Sequence, residues 1–511
     1  MIVWWDRVLY GHFVKSVLEC VPHVDPRLAE QIDPSVSLFL EEEETRIAMS
    51  RAIEPPEGYG IRKGLGGELD RYQVAAVAYA ERTGNRWLCG DDTGLGKTVE
   101  SLAWAHQTDA FPLLVVCPAF LKENWRRHVA TWLPGQSVSV IHGKNSGPLP
   151  RAEVVIVNYD ILAWWRADIL ELSWKGLVAD ECHYATNPKA RRTEALAYLA
   201  RRIPAVALLS ATPFLNRPIE MYSLLNMLRP DHFCDVHGFG VKYCDGKKLR
   251  FGSKSFWSYD GCTRAEELAR IVRTHLMIRR EKKDVLGQLA PMRRALVPLD
   301  LDDKGRALYE SAAEEVERII GENPDAEKAR GLIETTVMKR LAGAAKIDAV
   351  VSWARSFLDS SKDSSLVIFG HHREVLHALA LELGASLITG ETGRRDRQRI
   401  VDDFQEGRTR VLVASMKAAG LGIDLHRAQD CAFVELGWNA ADIYQAESRL
   451  HRRGQEGSVT SWYLVAGDTI EEEIAELILS KVESFDRIVR GETGADSGFD
   501  VFREFLGRRT E

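Results

Sequence analysis

No apolar run in the chain approaches the ~18 residues of a membrane-spanning helix. The opening Met1-Ile2-Val3-Trp4-Trp5-Asp6-Arg7 lacks the basic start and long apolar core of a secretory leader, so a cytoplasmic protein is expected. Cysteine is sparse and unpaired: the eight residues fall at 20, 89, 117, 182, 234, 244, 262 and 431, with no C-x-x-C among them. That scatter excludes a disulfide framework and points to reduced thiols. Cys234, Cys244 and Cys262 are too far apart for a zinc ribbon. Positive charge is not in excess. The formal net charge of −7 does not advertise nucleic-acid binding, although a basic cleft can sit in an acidic protein. There is no repeat of solenoid period. Nor is there a second carboxylate cluster with metal-ligand spacing, which argues against a nuclease. What remains, at 511 residues and 45% hydrophobic, is a globular chain of roughly two to four domains.

Against these absences stands Gly90-Asp91-Asp92-Thr93-Gly94-Leu95-Gly96-Lys97-Thr98, between the apolar Trp87-Leu88-Cys89 and a helical pattern over 99–105. Strand, glycine loop and helix form the setting of a phosphate-binding loop, where backbone N–H groups and the helix N-terminus face an anion. Lys97 then reaches the β- and γ-phosphates, and the Thr98 hydroxyl holds Mg²⁺. The strict pattern has glycine where Asp91 stands, so a chance Gly-Lys-Thr in a glycine-rich turn stays open on this stretch alone. Downstream, the apolar 176–179 delivers Asp180-Glu181-Cys182-His183 at a strand end. Asp180 suits Mg²⁺ held through its waters, and Glu181 suits orienting and deprotonating an attacking water. Alone, such a pair is ordinarily a solvated loop; a phosphate loop upstream reverses that reading. Tyr72-Gln73, opening a helix just before the loop, can clamp adenine by face and edge, unless it is simply an amphipathic helix start.

The chain divides by rhythm. Residues 1–65 read as an accessory segment with two weak helical patterns, an acidic run at 41–44 and Pro55-Pro56. Over 66–297, strands at 113–117, 154–158, 177–179 and 206–209 alternate with helices, which implies a parallel sheet with helices on both faces and ligands at its carboxyl edge. Residues 231–297 break the alternation as a basic, aromatic insertion, with Met277-Ile278 expected on a helix that has one buried side. A second unit, 298–489, opens with long helices over about 302–358 and then strands at 366–369, 387–389, 411–414, 432–436 and 459–465. It has no phosphate loop of its own. Arg449 and Arg452 lie three apart on an expected helix, so they share a face and suit a role in trans on phosphate bound by the first unit, a surface ion-pair helix being the plain alternative. Residues 490–511 read as a partly disordered tail.

Taken in order, Tyr72-Gln73, the 91–98 loop, Val116-Cys117-Pro118, Asp180-Glu181-Cys182-His183 and Ser210-Ala211-Thr212-Pro213 resemble the first-lobe motifs of superfamily II helicase-like ATPases. Phe369-Gly370-His371-His372, Ala418-Ala419-Gly420-Leu421-Gly422 and the stretch from Gln445 to Gln455 resemble the second-lobe motifs. Asp-x-x-Gly-Leu-Gly-Lys-Thr, the 118–125 stretch, Leu436-Gly437-Trp438-Asn439 and His451-Arg452-Arg453-Gly454-Gln455 are similar to the Swi/Snf branch, which accounts for Asp91. Phe239 to Asp245 with Met277 to Arg280 resembles the HepA-related annealing helicases within that branch. Departures fall at Asp92, Thr93, Asp424 and Arg453; none removes a catalytic group.

The resemblance implies an α/β fold of two RecA-like doubly wound parallel-sheet lobes in tandem, a motor using ATP and Mg²⁺. It implies nucleotide contacts at Tyr72, Gln73, Asp91, Thr93, Gly94, Leu95, Gly96, Lys97, Thr98 and Gln445, metal at Thr98 and Asp180, and catalysis by Lys97, Asp180, Glu181, Arg449 and Arg452. His183, Ser210 and Thr212 take a coupling role. DNA is the implied partner, gripped largely by phosphates and without sequence preference, through Lys122, Trp125, Asn158, Tyr159, His371, His372, Ser415, Lys417, Trp438 and Asn439. The basic pairs Arg279-Arg280 and Lys282-Lys283 are expected to add phosphate contacts. A single-strand-binding or replication protein is the expected protein partner, at the nucleoid if the host is bacterial or a phage. Rewinding or remodelling of duplex or branched DNA is the expected activity; strand separation, or DNA binding as a nucleotide-dependent scaffold, are the alternatives. No wedge hairpin is recognisable in the sequence.

Overall fold

The computed structural model describes residues 44–490 apart from 145–147, 215–216, 252–253, 288, 291, 323–329, 361–363, 420–422, 438–439, 453 and 456. Most of the accessory segment, the tail after residue 490, and Trp438 and Asn439 therefore lie outside the described residues, while 44–49 forms a helix. Among the described residues, no helix is long and apolar enough to cross a membrane.

The first lobe is built on β1 (Arg86–Cys89), β2 (Leu113–Cys117), β3 (Val138–Val140), β4 (Val154–Asn158), β5 (Gly176–Asp180) and β6 (Ala205–Leu209). After β6 come an antiparallel hairpin, β7 (Lys247–Phe251) and β8 (Lys254–Ser258), and the short β9 (Met277–Ile278). All except the hairpin join one parallel sheet in the order β3-β4-β2-β5-β6-β1-β9. Every residue of β2, β4, β5 and β6 is buried, as expected of parallel strands covered by helices on both faces. Because β6 lies between β5 and β1, the segments leaving all three strands meet at one carboxyl edge.

The second lobe has β10 (Arg293–Leu299), β11 (Leu366–Gly370), β12 (Ser386–Ile388), β13 (Val411–Ser415), β14 (Asp430–Phe433) and β15 (Thr460–Ala466). They form a second all-parallel sheet in the order β10-β15-β14-β11-β13-β12. The expected long helices resolve into Asp303–Glu310, Ala312–Glu322, Arg330–Ala345 and Ile347–Ser360, the first capped by the Asp302 carboxylate on Gly305 N at 2.7 Å.

Three expectations change. Met277-Ile278 is a strand hydrogen-bonded to Leu88-Cys89, so the stretch expected as an insertion closes the first sheet. The second sheet begins at Arg293, ahead of 298. Finally, the helix Glu471–Phe485 leaves the second lobe and ends in the first. Phe485, Ile488 and Val489 belong to the first lobe's core, Phe485 lies 5.5 Å from Phe214, and Arg273 donates to the Val489 carbonyl at 2.5 Å. An amphipathic pattern states that a helix has an apolar face, and nothing in it names the lobe that face covers.

Candidate active site

Gly96 caps the helix Lys97–Gln107 at φ +90°, and Gly94 sits at φ +82°, backbone that side chains rarely adopt. The loop is clamped from above: Tyr72 Oη and Gln73 Nε2 both donate to the Leu95 carbonyl, at 2.8 and 3.2 Å. Gln73 also accepts from Asp70 N at 3.0 Å as the third residue of its helix, so its amide serves both the helix start and the loop. Lys97 Nζ is folded onto the Asp91 and Asp92 carbonyls, at 2.8 and 3.1 Å, a cation resting on weak acceptors within its own loop.

Asp91 does not face that loop. Its carboxylate is fully buried against Arg280, which also reaches Glu100 at 2.8 Å and the Tyr72 carbonyl. Burial and the Asp91 charge push the Glu100 carboxyl up to about 8, while Arg280 works against the rise. Arg279 is likewise interior, donating to the Ala211 carbonyl at 2.9 Å. Arg279 and Arg280 thus anchor the phosphate loop to the chain leaving β9, and the expected DNA contacts there are corrected.

At the end of β5, Asp180 accepts from Trp125 Nε1 at 2.7 Å and from Glu181 N at 3.0 Å. Burial and the Glu181 charge push its carboxyl up to about 6. A hydroxyl at Thr98 and a buried carboxylate that is short of positive charge make a donor set that fits Mg²⁺. Glu181, at φ +50°, aims differently. Burial works to raise its pKa, yet His183, Lys97 and Arg449 together hold it below the usual carboxylate range. His183 Nδ1 lies 3.3 Å from Glu181 Oε2 and 3.1 Å from Ser210 Oγ, which in turn accepts from Thr212 N at 3.1 Å. The structure therefore brings the three expected coupling residues together in one chain of contacts, beside the loop that carries Phe214 to Phe485.

The second lobe supplies the roof. Its helix Ala440–Glu447 stops short of Arg449 and Arg452, which leave from the turn that follows, so the expected shared helical face is corrected. That turn is fixed at both ends. Arg294 holds Glu447 through two bonds of 2.9 and 2.6 Å, and Gln455 Nε2 donates to the His426 and Ala428 carbonyls at 2.9 and 2.8 Å. Arg449 is half-buried, with a buried and unpartnered Nε, and lies close enough to Glu181 for the two charges to perturb each other. Arg452 stands over the phosphate loop: a Cβ at Gly94 would lie 3.8 Å from Arg452 Cβ and 3.9 Å from Lys282 Cε. Asp424, the unusual acidic residue, forms its ion pair with Arg452. Lys282, expected on DNA, instead donates to the His451 carbonyl at 2.5 Å, across the lobes. Lys97, Lys282, Arg449 and Arg452 thus surround one loop, beside an interlobe cavity of about 350 Å³ lined by Thr93, Thr212 and Gln445.

Most of the expected DNA contacts in the first lobe point inward. Lys122 Nζ donates to the Ile141 carbonyl at 2.9 Å and to Asn158 Oδ1 at 3.1 Å, Tyr159 Oη donates to the Asp180 carbonyl at 2.8 Å, and Trp125 supports Asp180. All four are buried, so their assignment to DNA is corrected. In the second lobe, Glu435 ties His371 N and His372 N at 2.7 and 2.9 Å, with the His372 ring against the same carboxylate. Ser415 is half-buried and Lys417 exposed at the end of β13.

Two parallel-sheet lobes, one carrying a phosphate loop and the other bringing two arginines to it, have the architecture of a two-lobed, helicase-like nucleotide-binding core. The chain belongs to the SNF2-related domain family, which matches residues 72–346; the helicase conserved C-terminal domain matches residues 346–454. It is 33% identical over 433 residues to the SWI/SNF-related matrix-associated actin-dependent regulator of chromatin subfamily A-like protein 1 of Xenopus tropicalis, covering 82% of this chain and 45% of that protein. It is 30% identical over 424 residues to the DNA annealing helicase and endonuclease ZRANB3 of Bos taurus, covering 80% of this chain and 39% of that protein. The chain thus spans about half or less of the length of these curated relatives. The Sulfolobus solfataricus SWI2/SNF2 ATPase core in complex with dsDNA is similar at 22% identity and a TM-score of 0.41, covering 87% of this chain and 97% of that one.

Proposed function

We propose that the chain is an ATP-dependent DNA translocase that moves on duplex or branched DNA and rewinds or remodels it. The observation that carries the ATPase is the meeting of Lys97, Glu181, Arg449 and Arg452, from two lobes, around one phosphate loop. Lys97 leaves the Asp91 and Asp92 carbonyls for the stronger acceptors of the β- and γ-phosphates, and Lys282 adds a cation from the linker. Thr98 and Asp180 are the residues to hold Mg²⁺, which when bound gathers phosphate oxygens and withdraws negative charge from them. Glu181, kept ionised, takes the proton of the attacking water. Arg449 and Arg452 stabilise charge that develops during transfer, and they reach it only while the lobes are closed. Gln445 borders the same cleft as a further nucleotide contact.

DNA as the track rests on family membership and on relatives named for DNA annealing. The grip is assigned to exposed positions such as Lys417 and to Ser415, His371 and His372 near the β11 and β13 ends. A single-strand-binding or replication protein is the proposed partner class. One observation favours a second reading, strand separation: the exposed hairpin β7–β8 is an element of the kind that splits duplex. Two assays in one buffer decide: displacement of a labelled oligonucleotide from a partial duplex, and regression of a model fork. ATP-dependent regression without displacement is expected; displacement without regression would overturn the proposal.

A further inference from the structure

A two-stranded hairpin is marginally stable alone in water, so the root of β7–β8 matters. That root is fastened on several sides. The Tyr259 hydroxyl and His237 Nδ1 are 2.6 Å apart, Arg217 and Asp260 pair at 2.5 Å, and Lys247 pairs with Asp245 at 2.5 Å. Backbone bonds from Gly246 to Gly240 at 3.2 Å and from Gly261 to Cys244 at 3.2 Å close it. Gly240 lies so near the Tyr259 ring that a Cβ there would come within 2.4 Å. Arg217 follows Thr212 closely in the chain, so the arm stands on the loop that leaves β6.

Above this root the strands are bare. Residues 247–250 and 255–257 are exposed, including Leu249 at 43%, Phe256 at 53% and Trp257 at 43%. Leu249 and Phe256 are directly opposite across the strands and so share one face. On the other face Lys248 is opposite Trp257, which meets the His237 ring edge-on at 4.6 Å. Neither strand carries a carboxylate, while Lys247, Lys248 and Arg250 crowd one of them, in a chain of net charge −7. Uniform positive charge selects a polyanion. Bare aromatic rings select base faces, and duplex DNA hides those faces within its stack. A grip on duplex phosphates alone needs the cations and has no use for Phe256.

We propose that the β7–β8 hairpin binds single-stranded nucleic acid, stacking an unpaired base on Phe256 beside Leu249 while Lys248 and Arg250 hold the flanking phosphates. The proposal rests on the DNA-translocase reading for its setting, and it places an unpaired strand of a fork on the first lobe. The test uses the full chain and fluorescence anisotropy at one salt concentration, with a labelled single strand, a fork and a blunt duplex as probes. Phe256→Ala should weaken single-strand and fork binding about 5- to 150-fold, the worth of one stacked base, with blunt-duplex binding and Tm unchanged. Phe256→Trp should restore it, and Lys248→Glu with Arg250→Glu should steepen the loss. Wild-type affinity for the fork in Phe256→Ala, or an equal loss on blunt duplex, would overturn the proposal. Absence of DNA-stimulated ATPase in the wild-type chain would refute the translocase reading instead, and a fork-specific loss in Phe256→Ala would still support the hairpin.

Discussion

Replacing Lys282 with methionine asks whether the linker between the lobes belongs to the nucleotide site. The side chain is 4% exposed and its Nζ donates to the His451 carbonyl at 2.5 Å. Burial pushes its ammonium down to about 8; Asp92 opposes the shift, and the cations Arg452, Lys97 and Arg449 add to it. Bound polyphosphate reverses the balance, because it answers four converging cations with negative charge. Methionine keeps the bulk of the stem and removes the charge. A hydrogen bond to a charged group contributes roughly 1.5–3 kcal/mol, so ATP affinity should fall about 10- to 150-fold. The assay is equilibrium binding of a fluorescent ATP analogue, with steady-state turnover from pH ~6.5 to ~9.5. Wild-type KM should climb as pH rises through about 8, where the free ammonium loses its proton. Lys282→Arg should bind ATP and lose that limb, because a guanidinium stays charged. Wild-type affinity in Lys282→Met, with the alkaline limb intact, would place Lys282 outside the nucleotide site.

Glu181→Gln should keep nucleotide binding and abolish turnover, since an amide cannot accept the proton of water; hydrolysis at the wild-type rate would remove Glu181 as the base. Arg452→Ala should retain ATP and lose roughly 10³–10⁵ in rate, the usual worth of an arginine acting in trans, and a loss under tenfold would contradict the composite site. Glu100 keeps a proton on folding because burial and Asp91 hold its carboxyl at about 8 instead of 4.5. Its contribution to stability is full below about 4.5 and is lost as pH rises through about 8. Glu100→Gln should therefore flatten the dependence of Tm on pH across that interval, and an unchanged slope would contradict the assignment.

Much of the frame was legible because parallel strands buried on both faces read as short apolar runs: 113–117 and 154–158 fall on β2 and β4. The two residues of β9 are too few to show any period, so Met277-Ile278 read as helix. Motif order located the phosphate loop and Asp180-Glu181 but gave no direction to side chains. Lys122, Trp125, Asn158 and Tyr159 stand near strand ends and helix starts where ligands usually bind, yet they turn inward, Trp125 and Tyr159 onto Asp180 and Lys122 onto Asn158. Lys282 lies in a charge run that reads as a solvated face, and the pairing of β9 with β1 sets it over Gly94, where the second lobe's His451 carbonyl covers it. Asp424 looked like a departure from pattern; its ion pair with Arg452 needs two turns that sequence alone does not bring together. The hairpin was hidden for the opposite reason, since its described strand residues 247–250 and 255–257 are exposed and mix lysine and arginine with aromatic residues.

If the chain works as proposed, ATP is hydrolysed between the two lobes in response to DNA. Steady-state ATP turnover by the full chain, measured without nucleic acid and with single-stranded, duplex and forked DNA, tests it most directly. Low basal turnover is expected, with strong stimulation by duplex and fork that falls steeply as salt rises, and loss of that stimulated rate in Arg452→Ala. A turnover rate indifferent to every DNA, or a stimulated rate that survives Arg452→Ala, would contradict it.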